Sequence, residues 1–310
     1  MLTPEGTFSI SRMKPPYVSV IVPVYNDSEN LGVCLSALAG QSYPADRYEV
    51  VVIDNGSSED VRSVVARFPG FRYEHEDRIG SYAARNKGIE ASKGEILAFT
   101  DSDCRPGPDW IAAGVAFLDD ATAFDAVGGP IRMVAPEGRR ATAFDLHDLV
   151  WGMPQRIYIE RFGLSATGCL FVRRECFEKA GPFDPEFRSC GDCEWCFRMR
   201  ACGLRLGYAP EAWVLHSTRS SLSSFVRRRR RISGGFHLLT PLVASRYPDS
   251  GFEVPRSFST SIGRIRNNLG HRILDTRGRK LRFALAELLL YAVTTLEAWR
   301  LRLGGEPSRG

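Results

Sequence analysis

Long hydrophobic runs are missing from this sequence. No stretch reaches the roughly 18 uninterrupted apolar residues that a membrane-spanning helix needs, so no span is expected. Residues 1–14 carry no apolar core of the secretory-signal kind. A cytoplasmic chain is therefore expected, with its eight cysteines reduced. Internal repeats are also absent, which argues against solenoids and propellers. Carboxylates are scarce toward the end of the chain: residues 217–310 hold about 18 Lys and Arg against about 6 Asp and Glu, within a net charge of +5. An acidic body thus carries a basic tail, and such asymmetry points to an anionic partner. What remains is ordinary globular material, 310 residues with 44% hydrophobic and 25% charged, enough for one large α/β domain plus an extension.

Residues 1–16 read as a flexible leader ending in Pro15-Pro16. Residues 17–22 (Y-V-S-V-I-V) and 48–53 (Y-E-V-V-V-I) are β-branched runs, expected as buried strands. Helices are expected over 29–39, 58–67, 81–91 and 109–118, and a short strand over 71–74. Alternation of this kind calls for a mainly parallel sheet with right-handed crossovers. After residue 126 the alternation breaks. Strands are expected over 127–134, 169–173 and 212–215, with helices near 140–151 and 194–201.

The stretch Leu97-Ala98-Phe99-Thr100-Asp101-Ser102-Asp103 organises the rest, because a buried strand ends there in two carboxylates. Residues two apart on a strand point the same way, so Asp101 and Asp103 can address one cation. Taken alone, the pair is equally a solvated turn or a helix cap. Tyr25 and Asn26, then Asp54 and Ser57, follow the earlier strands, and in a parallel sheet these ends share one edge.

Residues 18–27 (V-S-V-I-V-P-V-Y-N-D), 50–58 (V-V-V-I-D-N-G-S-S), 83–88 (A-A-R-N-K-G), 98–103 (A-F-T-D-S-D), 167–177 (T-G-C-L-F-V-R-R-E-C-F) and 181–184 (G-P-F-D) follow one another in order. Together they resemble the family-2 glycosyltransferases, over residues 18–216. The resemblance implies a GT-A fold, Rossmann-like, with residues 17–125 forming the nucleotide-sugar half and 126–216 the acceptor half. It implies an inverting, metal-dependent transfer from a nucleotide-diphosphate sugar, by default a UDP-sugar, to a glycan or lipid-linked acceptor. The donor would contact Pro23, Tyr25, Asn26, Asp54, Ser57, Arg85, Asp101, Ser102 and Asp103. Mn²⁺ or Mg²⁺ would be held by Asp103, Asp101 and His216. Gly168, Cys169 and Trp195 would lie on the acceptor side. Asp192 matches the catalytic base, with Glu194 as second choice, but Gly191 stands where the family usually has Glu. By residue type alone, Asp192 could equally cap the following helix, and His216 could be a satisfied strand-end histidine. Two rivals are a non-catalytic GT-A module, which Gly191 keeps open, and a sugar-nucleotidyltransferase. The latter usually has a Gly-rich loop after its first strand, where this chain has Pro23-Val24-Tyr25-Asn26-Asp27.

Cys190, Cys193, Cys196 and Cys202 have cluster-like spacing but fall on an expected helix without a following Cys-Pro, and are read as small thiols. Residues 217–310 are expected to form a helical basic extension. The run Arg227, Arg228, Arg229, Arg230, Arg231 is expected to meet diphosphate or anionic lipid. Lacking interleaved aromatics, it does not suggest nucleic acid. A helix over 281–303, with an apolar stripe at 285, 288, 289, 292, 293 and 296, is expected to lie on the inner face of a membrane, dock on the body, or pair with a second copy.

Overall fold

The structure, a computed structural model, describes residues 14–120, 124–250, 263 and 265–307. Most of the expected leader lies outside the described residues. β1 (Val18–Val24) is buried along its whole length, as a β-branched run covered on both faces must be. It leads through α1 (Ser28–Ala39) to β2 (Tyr48–Asp54), then α2 (Val61–Val65) and β3 (Arg72–His75). α3 (Ser81–Ala91) returns the chain to β4 (Ile96–Thr100), on the other side of β1. β5 (Cys104–Pro106) and α4 (Trp110–Asp120) follow. Next come β6 (Ala126–Gly128), β7 (Ile131–Val134), α5 (Ala143–Trp151), the single turn α6 (Gln155–Ile157), β8 (Cys169–Arg173) and α7 (Glu175–Ala180). The chain then runs through α8 (Gly191–Ala201), β9 (Leu206–Tyr208), β10 (Val214–Ser217) and α9 (Leu222–Arg246) to α10 (Arg277–Arg302).

The main sheet has strand order β3-β2-β1-β4-β8-β6-β9. All its pairings are parallel except those of β8, which runs antiparallel to β4 and β6. The chain winds outward from β1 to β3 and then crosses to β4, so its direction reverses between β1 and β4. Open α/β sheets bind ligands in the crevice at such a reversal. One hydrophobic cluster covers each face of the sheet. α1 and α4 supply one through Leu31, Leu35, Trp110 and Ile111, and α7 and α8 the other through Phe177, Trp195 and Phe197.

Residues 127–134 are not one strand. β6 joins the main sheet, whereas β7 joins a second sheet of order β5-β10-β7. The break falls at Gly129-Pro130. Pro130 has no N–H to offer a ladder, and a Cβ at Gly129 would lie 1.7 Å from the Ala212 carbonyl oxygen. The strand expected at 212–215 likewise starts later, at Val214, and pairs antiparallel with β5, setting His216 opposite Cys104. That pairing carries His216 to the carboxylates after β4.

α9 packs on α8, and α10 on α9 and α5. α5 begins with a capping box formed by Thr142 and Asp145. Asp145 is fully buried. It accepts from the Thr142 amide at 2.7 Å, from the Thr218 and Ser220 hydroxyls at 2.6 and 2.8 Å, and from Arg139 at 2.9 Å. Burial alone would raise its carboxyl, but Arg139 and these hydrogen bonds outweigh it and hold it well below the ordinary value of 3.8. A lowered folded value stabilises the protein fully above that ordinary value, and the contribution fades as pH falls through the lowered one. The urea concentration at the unfolding midpoint is therefore expected to fall as pH drops below about 4. Asp145→Asn should cost roughly 3 kcal/mol at neutral pH and flatten that acid limb.

Candidate active site

Asp101, Ser102 and Asp103 follow β4 directly, and Tyr25, Asn26 and Asp27 follow β1. The Ser102 hydroxyl donates to Asp27 Oδ2 at 2.8 Å, tying the two strand ends together. Asp101 Oδ1 accepts from Arg85 Nη2 at 2.5 Å, and Arg85 is buried on α3. Asp103 Oδ1 lies 3.5 Å from His216 Nε2, and its Oδ2 3.5 Å from Arg219 Nη2. Burial would raise the Asp103 carboxyl, but His216, Arg219 and Arg228 more than offset this and hold it below the usual carboxylate range.

His216 Nδ1 lies 2.8 Å from the Ser217 carbonyl oxygen, which can only accept. Nδ1 therefore carries the proton of the neutral ring, and Nε2 turns its lone pair toward Asp103. Ligand atoms of Asp101, Asp103, Cys104 and His216 all lie within 4.8 Å of one another. Two carboxylates and an imidazole oriented by the Ser217 carbonyl fit a divalent cation, Mn²⁺ better than Mg²⁺. The soft, buried Cys104 thiol does not suit such an ion. Asp101, Asp103 and His216 are thus brought together as a set that could hold a metal.

A cavity of about 600 Å³ opens over Asp101 and Asp103, with His216 behind its lining. Asp27, Asp101 and Asp103 line it together with Arg85, Arg188, Arg219, Arg227, Arg228 and Arg231. Arg85 Nε and Arg219 Nη1 are buried without a hydrogen-bond partner among the described residues. Asp148 of α5 aligns two of the cations, accepting from Arg228 Nη1 and from the Arg219 amide, both at 3.1 Å. Burial, and then repulsion from Arg219, pull the Arg228 guanidinium down to about 10, so it remains charged at neutral pH. The arginine run is therefore divided. Arg227, Arg228 and Arg231 face the cavity, and Arg230 donates to Glu297 of α10 at 3.0 Å. Successive helical positions point in different directions, so members of one run meet different partners.

Pro23, Tyr25, Asn26, Arg85, Asp101, Ser102 and Asp103 line the cavity. Asn26 adopts φ 48°, a left-handed turn that Asn tolerates. Its amide N–H donates to Ser57 Oγ at 2.9 Å, and its side-chain oxygen accepts from the Ser58 amide at 2.7 Å. Asp54 and Ser57 stand outside the lining. Asp54 accepts from the Ser57 amide and the Tyr73 hydroxyl, both at 2.9 Å, and so braces the turn. Its neighbour Asn55 lines the cavity instead, accepting from the Gly80 amide at 2.7 Å just before α3.

Asp192 lies in the first turn of α8, beyond the cavity lining. Its Oδ1 accepts from the Tyr82 hydroxyl at 3.0 Å, and its Oδ2 from the Thr167 amide at 3.3 Å. Burial and the Asp192 charge push the Tyr82 hydroxyl well above its ordinary value, so it stays a donor. The same geometry accounts for Gly191. A Cβ there would lie 2.7 Å from the Tyr82 ring, so the aromatic ring excludes any side chain at the position where Glu is usual. Gly168, next to Thr167, sits with its Cβ position 3.2 Å from Asp101 Oδ2, so residues 167 and 168 separate Asp192 from Asp101.

Three expected contacts are corrected. Glu194 is buried and bound by Arg198 at 2.7 and 2.8 Å, so it is engaged structurally rather than poised as a base. Trp195 is fully buried, donating to the Gly181 carbonyl, and cannot touch an acceptor. Cys169 is equally buried, between Trp110 Nε1 and the Ala212 carbonyl. Cys196 and Cys176 behave as thiols of the interior, since burial pushes both up to about 12, whereas Cys202 is exposed. Tyr82, Asn55, Arg219 and Asp148 carry no assigned role in the sequence reading. Only Arg219, three residues after His216, offered a local signal, since the others act through contacts distant in the chain.

The family model "Glycosyl transferase family 2" matches residues 19–179. Glycosyltransferase AglE of Haloferax volcanii is 37% identical over 226 residues, 71% of this chain and 73% of that protein. The pre-mycofactocin glycosyltransferase of Mycobacterium tuberculosis is 29% identical over 253 residues, covering 78% of this chain and 52% of that one. Among solved structures, the mannosyltransferase PcManGT of Pyrobaculum calidifontis, in complex with GDP-Man and Mn²⁺, superposes with a TM-score of 0.58 at 19% identity, over 94% of this chain and 76% of that one. TarS 1-349 of S. aureus, in complex with UDP-GlcNAc, gives a TM-score of 0.52 at 20% identity, over 93% and 92%. The α/β architecture is that of the GT-A glycosyltransferases. With the family's pattern running through more than half of its length on that fold, this chain belongs to glycosyltransferase family 2.

Proposed function

We propose that the chain is an inverting, metal-dependent transferase that moves a hexose from a nucleotide-diphosphate sugar, with a UDP-sugar favoured, to an acceptor hydroxyl in glycan, polysaccharide or glycolipid synthesis. The observation that carries this reading is the two-signed cavity. Three carboxylates and six arginines line it together, and Arg85 and Arg219 stand beside Asp101 and Asp103. A metal-bound diphosphate suits such a lining, since carboxylates can take the cation and Arg binds phosphate oxygens in a fork. The two solved neighbours were captured with GDP-Man and with UDP-GlcNAc, ligands of the same class.

Asp101, Asp103 and His216 would hold the cation, which when bound supplies positive charge against the departing diphosphate. Arg85, Arg219 and Arg228 would bind and orient the phosphates and stabilise the leaving charge. Asp192 takes the proton of the acceptor hydroxyl as its oxygen attacks the anomeric carbon. The bond from that carbon to the diphosphate oxygen breaks, and the electron pair leaves with the nucleoside diphosphate. Tyr82 orients the Asp192 carboxylate, the task that a neighbouring Glu would otherwise share. A non-catalytic module has less support once Gly191 is explained by the Tyr82 ring.

Melting of the protein with UDP, GDP and their sugars, with and without Mn²⁺, tests this reading, because a ligand of the native state raises the transition. Stabilisation by at least one nucleotide diphosphate is expected. Arg219→Ala should weaken that binding by about tenfold or more. Equal binding by the variant would remove Arg219 from the phosphate site.

A further inference from the structure

α10 wears its polarity inside out. Its inward face carries Phe283, Leu290 and Leu301 together with both of its carboxylates, Glu287 and Glu297. Glu287 is met by the Trp151 indole N–H and lies 3.3 Å from His147 Nε2. Glu297 is held by Arg230 and Arg300, at 3.0 and 2.6 Å. The outward face presents Leu281, Leu285, Leu288, Leu296, Trp299 and Leu303, each 43–82% exposed. Successive members lie three, four or eight residues apart, so they form one stripe along a helix about 39 Å long. Scattered exposed leucines need no explanation, but a continuous stripe of this length marks an interaction surface.

We propose that this face of α10 lies in the interfacial layer of a bilayer containing anionic lipid, with the helix axis along the membrane plane. Charge chooses this occupant. Arg277 and Lys280 flank the stripe at its start and Arg302 at its end, and no acid of the helix faces outward. Long cationic side chains at such a boundary reach headgroup phosphates while their stems and the neighbouring leucines sit in the acyl region. A second copy is the poorer occupant. Twofold pairing along the stripe, parallel or antiparallel, would set basic end against basic end, with no outward carboxylate on the stripe to neutralise them. Crossing the bilayer is not on offer, since no helix among the described residues is long and apolar enough. This proposal is independent of the transfer chemistry, because none of the stripe residues lines the cavity.

Sedimentation of the full chain with extruded vesicles tests it. Binding is expected to phosphatidylcholine vesicles containing phosphatidylglycerol, to be much weaker with phosphatidylcholine alone, and to decline with added salt. Leu285→Glu with Leu296→Glu alters only exposed positions. It should leave the melting temperature and nucleotide binding unchanged while lowering the partition coefficient by at least about tenfold. Arg277→Gln with Lys280→Gln should weaken binding selectively to the anionic vesicles. Two results would overturn the proposal: no preference of the wild-type chain for anionic vesicles, or a dimer by light scattering that the double Glu variant converts to monomer.

Discussion

Asp192→Asn is expected to lower sugar transfer by about 10²–10⁴-fold, the usual contribution of a positioned proton acceptor. The carboxamide has nearly the shape of the carboxylate, and its oxygen can still accept from Tyr82. The fold and the donor site should therefore persist, and isothermal titration should give unchanged nucleotide affinity. Single-turnover transfer is the deciding measurement. Near-wild-type turnover would move the proton to a group other than Asp192, and Glu194 is already locked by Arg198. Tyr82→Phe removes the hydroxyl that lies 3.0 Å from Asp192 Oδ1 but keeps the ring against Gly191. It should reduce kcat by about tenfold, the cost of one lost hydrogen bond to a charged group, with the donor KM unchanged. A change in donor KM alone would instead assign Tyr82 to the nucleotide side.

Asp103→Ala should be at least as damaging, but in a different way. Its carboxylate lies beside His216 and Arg219 and belongs to the set that could hold a cation. Loss of transfer by about 10²–10³-fold or more is expected, together with loss of any strengthening of nucleotide binding by Mn²⁺. Chelation of the wild-type protein should reproduce the second effect. Asp192→Asn should keep it, so the two variants separate binding from proton transfer. If Asp103→Ala bound nucleotide with full Mn²⁺ dependence, the cation would lie elsewhere.

Tyr82 also shows where sequence reading loses information. Gly191 reads as a defect in a catalytic pair, because its neighbours in the chain are all that the reader has. In space its neighbour is a tyrosine from α3, 109 positions earlier. The arginine run is similar. Its composition announces an anion, but only the packing of α9 against α8 and α10 assigns three members to the cavity and one to Glu297. The apolar stripe of α10 is visible as periodicity. Its outward direction is not, because two glutamates on the opposite face would ordinarily mark the wet side, and here buried partners satisfy them.

The sequence by itself determined the local elements and the strand ends. β-branched runs bounded by turn residues make β1, β2 and β4, helical periodicity makes α1 and α3, and the alternation forces parallel crossovers that bring Tyr25, Asn55 and Asp101 to one edge. These are consequences of short-range sterics and of apolar burial with a fixed period. The tertiary structure alone decided what faces that edge. A second sheet pairs β10 with β5 and sets His216 beside Asp103. A buried aspartate on α5 aligns Arg219 and Arg228, and a tyrosine of α3 packs against Gly191 and donates to Asp192. Such contacts join residues far apart in the chain, and they depend on which surfaces pack together, which no local propensity encodes.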